Sequence, residues 1–306
     1  MLQQKPLDSL TGLHIEPTNI CTLKCPGCAR TRFIDQWPQH WKNHSLDIDH
    51  LLRFLDIDLT GLKISLCGNY GDPIYHPDFV EFVTKLKQRG SVISIVTNGS
   101  YRTTDWWKAL TSVLTSADCI TFSIDGIPTN FTQYRINADW NTIKQGIEIS
   151  AESACQTEWK YIPFSFNSVD IESAKHLSQQ LGIDRFFINP SDRFDEQTEF
   201  LKPSDTLLGS RHDAQVLWKS SATPIIKHVD PKCANKKEHF ITADGYYSPC
   251  CFVADHRFYY KTQFGKQKNQ YNIQTQSLSQ ILEQPTVIDF YQNLPDHPVC
   301  QFNCPG

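Results

Sequence analysis

Three thiols fall within eight residues near the start of the chain, in Cys21-Thr-Leu-Lys-Cys25-Pro-Gly-Cys28. Spacing this compact lets one loop direct all three sulfurs at a common centre, and soft thiolates select zinc, copper(I) or iron-sulfur clusters. A structural zinc site closes with a fourth Cys or His nearby. Here the next His, His40, lies beyond a Trp- and Arg-containing stretch. Three ligands without a local fourth suit a 4Fe-4S cluster whose unique iron stays open to a non-protein group. A second group, Cys233, Cys250, Cys251, Cys300 and Cys304, fills the last quarter of the chain. Cys67, Cys119 and Cys155 stand singly and read as small buried hydrophobes. The total of eleven is odd and no export signal precedes them, so a cytoplasmic location and metal binding are expected rather than a disulfide framework.

The elements that must position these thiols alternate. Strands are expected at Gly12 to Pro17, Leu62 to Cys67, Val92 to Thr97, Cys119 to Ile124, Trp159 to Phe166 and Arg185 to Asn189. Helices are expected near Ile48 to Asp56, Pro77 to Arg89, Asp105 to Ser116, Trp140 to Ala154 and Ile171 to Leu181. Strand alternating with helix means parallel strands joined by crossovers, hence an α/β fold with a partial (β/α)6 TIM-like barrel. That barrel is expected over 1–190, a polar connecting segment with Pro203 and Pro224 over 191–230, and a small Cys-rich domain over 231–306. In the last, Phe240 to Cys251 reads as a hairpin turning near Asp244-Gly245, Tyr259 to Tyr271 as a solvent loop, and Leu278 to Tyr291 as a helix.

Composition excludes several classes. With 306 residues, 12% aromatic and 20% charged, the chain can bury a sizeable core and is not disordered. The 29 Lys+Arg against 33 Asp+Glu leave a net charge of −4, which gives no general field for nucleic acid. No apolar run approaches the roughly 18 residues of a membrane span.

The C-x-x-x-C-x-x-C loop after the first strand of a repeating β/α chain resembles the radical S-adenosylmethionine (SAM) superfamily. The resemblance implies that Cys21, Cys25 and Cys28 hold a 4Fe-4S cluster whose fourth iron is chelated by SAM, and that reductive cleavage yields a 5′-deoxyadenosyl radical. Cys67-Gly68-Asn69-Tyr70-Gly71-Asp72-Pro73 is similar to the family's glycine-glycine-acid-proline motif, which lines up against SAM's amino group. In that reading the glycines let a backbone carbonyl approach the ligand and Asp72 accepts from the ammonium. Asn98 after the third strand, Ser123 and Asp125 at the fourth, and Arg135 beyond it match positions the family uses for SAM's ribose and carboxylate. One departure is Gly27, where the family has an aromatic ring for adenine; Phe33 or Trp37 is the expected substitute.

The C-terminal pattern resembles the SPASM/twitch extension of such enzymes and implies one auxiliary 4Fe-4S cluster on Cys233, Cys250, Cys300 and Cys304. Adjacent strand residues point to opposite faces, so geometry leaves the choice between Cys250 and Cys251 open, and family analogy selects Cys250. The implied activity is hydrogen-atom abstraction from a peptide or small polar metabolite, for oxidation or cross-linking, with the auxiliary cluster relaying an electron and a donor such as flavodoxin or ferredoxin supplying one. The twenty residues before Cys21 leave no room for a leader-binding module. A non-catalytic iron-sulfur electron carrier and a zinc-stabilised binding module are the alternatives. Neither the general base nor the substrate is marked; Glu16, on the first strand where it alternates with Leu13 and Ile15, is a cavity candidate, and Asp192, Arg193 and Asp195 follow the sixth strand, either facing the cavity or forming a solvated loop. Anaerobically reconstituted protein is expected to hold about eight irons, and Cys21→Ala with Cys25→Ala and Cys28→Ala to leave about four. Iron analysis of the triple variant checks this, and unchanged content would remove the first site.

Overall fold

The computed structural model describes residues 10–191, 194–204, 207, 238–293, 299–300 and 304. In chain order its elements are β1 (Gly12–Ile15), α1 (Ala29–Gln36), α2 (Ile48–Phe54), β2 (Lys63–Leu66), α3 (Phe79–Gln88), β3 (Val92–Thr97), α4 (Thr104–Thr111), β4 (Cys119–Ser123), α5 (Trp140–Ala151), β5 (Gln156–Tyr161), α6 (Ile171–Gln180), β6 (Arg185–Ile188), β7 (Glu238–Ile241), β8 (Tyr247–Ser248), α7 (His256–Tyr259), α8 (Gln263–Lys266), α9 (Leu278–Leu282) and α10 (Pro285–Gln292). They form two compact units. The larger is Glu16–Ser45 with Leu59–Gly209, and the smaller gathers the described parts of Met1–Ile15, Leu46–Asp58 and Ser210–Gly306. Among the described residues no helix is long and apolar enough to cross a membrane.

In the larger unit the strands lie side by side in the order β6, β5, β4, β3, β2, and every pair is parallel. Alternate residues along a strand face opposite sides, and the two sides here differ in chemistry. Ile64, Leu66, Ile93, Ile95, Ile120, Phe122, Trp159 and Tyr161 are buried on the helix side, where Phe122 meets Trp107 of α4 and Trp159 meets Trp140 of α5. The other side carries Ser65, Cys67, Ser94, Val96, Thr121, Ser123, Glu158 and Lys160. A closed barrel fills that interior with bulky branched side chains. A polar interior is instead the lining of a place where something else binds. Two of the helices begin at side-chain caps, with Thr103 accepting from Trp106 N at the start of α4 and Asp139 accepting from Thr142 N at the start of α5.

Asp118, fully buried before β4, ties the lower ends of the strands together. Its Oδ1 accepts from Ile93 N at 2.7 Å and Lys87 Nζ at 2.8 Å, and its Oδ2 from Thr115 N at 2.7 Å. Burial alone would raise this carboxyl, but the Lys87, Ile93 and Thr115 donors outweigh it and hold it below its ordinary value.

The smaller unit pairs β1 parallel with β7, and β7 antiparallel with β8. The hairpin turns as the Asp244-Gly245 dipeptide predicts, with Gly245 at φ +80°. Three readings need correction. Tyr259 to Tyr271 is no solvent loop: α7, α8 and a 3₁₀ turn at Lys268–Tyr271 bury Tyr259, Phe264 and Tyr271, because its aromatics recur among Gln and Lys at helical spacing. Leu278 to Tyr291 is two helices rather than one, since Pro285 cannot donate into a preceding turn and starts α10. In the larger unit, β5 begins at Gln156 rather than Trp159 and ends at Tyr161. The polar residues Gln156 and Glu158 disguise its start, and beyond its end Ile162 N donates to Asp125 Oδ1 while Pro163 has no N–H to continue the ladder. Helix α1 has no buried residue and no apolar stripe to reveal it.

Asp118→Asn removes a charge-assisted acceptor set, and urea unfolding is expected to show a loss of about 2 kcal/mol. A folded pKa below the unfolded one contributes stability that is present above the ordinary carboxylate range and lost as pH falls through the folded value. The variant's stability is therefore expected to fall less steeply with acid.

Candidate functional site

The three-thiol loop leaves β1 and reaches α1 with Cys28 as the residue before the first helical turn. Its first half is pinned by a neighbouring segment. Thr18 Oγ1 donates to His44 O at 2.8 Å, Asn19 Nδ2 donates to Lys42 O at 2.9 Å, and Asn19 Oδ1 accepts from His44 N at 2.8 Å. Its second half turns tightly, with Cys28 N donating to Cys25 O at 3.1 Å. Cys25 is buried, and Cys21 and Cys28 are half-buried. Burial pushes the Cys21 and Cys25 thiols up to about 12. Thiolates there need a cationic centre, so the donor set fits a metal cluster. Among the described residues no three His, Cys, Asp or Glu side chains converge as ligands of a single ion.

The residues expected around SAM lie at the strand ends. After β2, the turn through Gly68, Asn69, Tyr70 and Gly71 is held from below by Glu16, which is 1% exposed and whose Oε1 accepts from Tyr70 N at 2.7 Å and Gly71 N at 2.9 Å. Glu16 was a cavity candidate; its observed contacts are with this turn. A side chain on Gly71 would sit 2.0 Å from Thr18 O, and one on Gly68 would sit 2.4 Å from Gly71 O. Both glycines are therefore required by backbone packing within the protein. Asp72 is buried, and burial pushes its carboxyl up to about 6. Its Oδ1 accepts from Thr97 Oγ1 at 2.8 Å, and its Oδ2 accepts from Asn98 N at 2.6 Å and from Asn98 Nδ2. The amide of Asn98 also reaches Cys21 Sγ at 3.7 Å, and its Oδ1 accepts from Ser100 N.

Asp125, fully buried after β4, pairs with Arg135 through Nε at 2.8 Å and Nη2 at 2.7 Å. Burial disfavours the Arg135 charge, but the Asp125 carboxylate outweighs it and pushes the guanidinium above its ordinary value. The Arg135 charge also acts on the Cys25 thiol, where it opposes the effect of burial. Ser123 is 6% exposed, and its Oγ has no hydrogen-bond partner among the described residues. A buried hydroxyl left in that condition costs free energy unless a ligand or water meets it. Its cross-strand neighbour is Lys160, whose charge acts on Cys67.

The ring beside Gly27 is neither Phe33 nor Trp37. A side chain on Gly27 would start 2.9 Å from the Tyr134 hydroxyl, and the Tyr134 ring lies against Phe164 with centroids 4.2 Å apart. Phe33 and Trp37 pack on each other, with Phe33 also against Trp41 and Tyr70. Spacing in the sequence could not bring Tyr134 to Gly27, because more than a hundred residues separate them. Asp192 and Arg193 lie outside the described residues, while Asp195 pairs with Arg32 of α1 at 2.7 Å.

In the smaller unit, Cys300 and Cys304 are buried and Cys250 and Cys251 half-buried, while Cys233 lies outside the described residues. Cys304 N donates to Cys300 O at 2.9 Å, and Val253 N donates to Cys250 Sγ at 3.4 Å. Beside them His239, whose Nδ1 contacts Tyr247 Oη at 2.6 Å and Tyr291 Oη at 3.2 Å, is pushed down to about 3 by burial. Tyr291 Oη donates to Pro249 O at 2.7 Å, so this buried group braces the segment that presents Cys250.

Residues 15–179 match the family model of the radical SAM superfamily. The chain belongs to that superfamily. Residues 233–305 match SPASM, an iron-sulfur cluster-binding domain. This radical SAM enzyme therefore uses a 4Fe-4S cluster and SAM, with auxiliary iron-sulfur binding in its C-terminal part. A cofactor-modifying protein for tungsten-containing aldehyde ferredoxin oxidoreductase from Pyrococcus furiosus is 33% identical over 121 residues, which is 38% of this chain and 31% of that protein. The chain thus spans about a third of that relative's length. Among solved structures, Streptococcus suis SuiB bound to its precursor peptide SuiA has a TM-score of 0.61 at 14% identity, covering 94% of this chain and 67% of that one. An anSMEcpe structure with bound AdoMet and a peptide has a TM-score of 0.58 at 14% identity, covering 96% and 88%. These likenesses show the fold, a partial TIM barrel.

Gly27→Ala is expected to cost about 1 kcal/mol by overpacking, and Tyr134→Phe, which removes the atom it meets, to abolish that cost. A double-mutant cycle in urea checks the contact, and additive effects would contradict it.

Proposed function

We propose that this radical SAM enzyme abstracts a hydrogen atom from a peptide or small polar metabolite, for oxidation or cross-linking, with an auxiliary 4Fe-4S cluster as electron relay. The observation that carries the reading is the three-thiol loop of the larger unit, with Cys25 buried and Cys21 and Cys28 half-buried beside the polar residues of the strand ends. Cys21, Cys25 and Cys28 hold the first cluster. Cys233, Cys250, Cys300 and Cys304 hold the auxiliary one; the Val253 amide on Cys250 Sγ supports Cys250 as a ligand, since hydrogen bonds to sulfur stabilise a bound thiolate. Bound at the first site, the cluster and SAM supply a 5′-deoxyadenosyl radical.

The protein's own residues do the positioning. Glu16 holds the turn from Gly68 to Gly71 so that its backbone groups meet SAM's amino group. Ser123 offers its unpartnered hydroxyl to SAM. Tyr134, standing where Gly27 lacks a side chain, supplies the ring against adenine. The polar strand face carrying Thr121, Glu158 and Lys160 admits a polar substrate. The peptide-bound neighbours favour a peptide, and the Pyrococcus relative's name keeps a small cofactor-like substrate open. A flavodoxin or ferredoxin supplies the electron.

Anaerobic protein reduced with dithionite and given SAM is expected to release 5′-deoxyadenosine, seen by liquid chromatography and lost in the triple Cys variant. Release that persists in that variant would overturn the assignment.

A further inference from the structure

Two of the residues expected to touch SAM are committed to each other and to a thiol. Asp72 Oδ2 accepts from Asn98 Nδ2, and the same nitrogen reaches Cys21 Sγ at 3.7 Å. Asn98 has no freedom to turn away: its backbone N donates to the same carboxylate at 2.6 Å, and its Oδ1 accepts from Ser100 N at 2.8 Å. Asp72 is fixed in turn by Thr97 Oγ1 at 2.8 Å and Ile74 N at 3.3 Å.

We propose that Asn98 is a positioning residue that sets the reduction potential of the cluster on Cys21, Cys25 and Cys28, with Asp72 fixing its aim. A donor held on a thiolate sulfur lowers the energy of whichever redox state carries more negative charge, which is the reduced one. The effect is large where solvent does not screen it, and Asn98 and Asp72 are buried. The inference rests on the three-thiol assignment proposed above.

The test is an EPR-monitored redox titration of the reconstituted full chain, poised with a europium(II) reductant. The first-site signal is the one that SAM perturbs, and the auxiliary signal is an internal reference. Asn98→Ala is expected to disfavour the reduced state about tenfold, which is a fall of about 59 mV in midpoint for one electron. The auxiliary midpoint and the iron content are expected to stay put. Asn98→Ser, whose hydroxyl is too short to bridge Asp72 and Cys21, serves if the alanine variant loads iron poorly, with the same fall expected. Unchanged midpoints in iron-replete Asn98 variants would overturn the proposal. Full iron retained in the triple Cys variant would overturn the ligand assignment itself, so the two failures are distinguishable.

Discussion

Burial of carboxylates at the ends of parallel strands is the constraint on which the larger unit depends. Asp72, Asp118 and Asp125 are each 6% exposed or less. A carboxylate taken out of water must be met by donors, and the donors available at a strand end are the backbone amides and short polar side chains of the neighbouring strand. Asp118 does this at one end of the sheet, where it collects Ile93, Thr115 and Lys87. Asp72 and Asp125 do it near the thiol loop, where they collect Ile74, Thr97, Asn98, Arg135 and Ile162. Each acid thereby fixes the separation of elements that the strand ladders alone leave loose beyond their last paired residues.

The same arrangement explains how a loop can present three thiols together. Thr18 and Asn19 anchor its beginning to the segment around His44, and the Cys28 amide closes its end on Cys25. Glu16 meanwhile holds the turn after β2. The packing is close enough that Gly68 and Gly71 have no room for a side chain. Preorganisation of this kind matters for radical chemistry, because the protein's contribution is position and exclusion rather than the bond-breaking itself.

The polar strand face follows from a different logic. In the larger unit the helix-facing residues are large and apolar, and the facing side is built of Ser, Thr, Cys, Glu and Lys. This division costs the interior the packing that stabilises a closed barrel. The helix side makes up for it with two aromatic clusters, Trp107 against Phe122 and Trp140 with Trp159 and Phe186. Stability and binding are thus assigned to opposite faces of the same strands.

Much of this was legible in the sequence. Strand β3 and the starts of α2, α5 and α6 fall where periodicity predicts them, and the two Cys groups with the strand-end motifs pointed to the family before any geometry was known. These are local signals, carried by residue spacing within a single element or loop. What only the tertiary structure decided involves partners distant along the chain: that Tyr134 fills the space over Gly27, that Glu16 supports the turn after β2, and that Asp72 holds Asn98 beside Cys21. A hydrogen bond or a ring contact acts over a few ångströms in space and leaves no period along the chain, so such pairings become visible only when the strands are laid side by side.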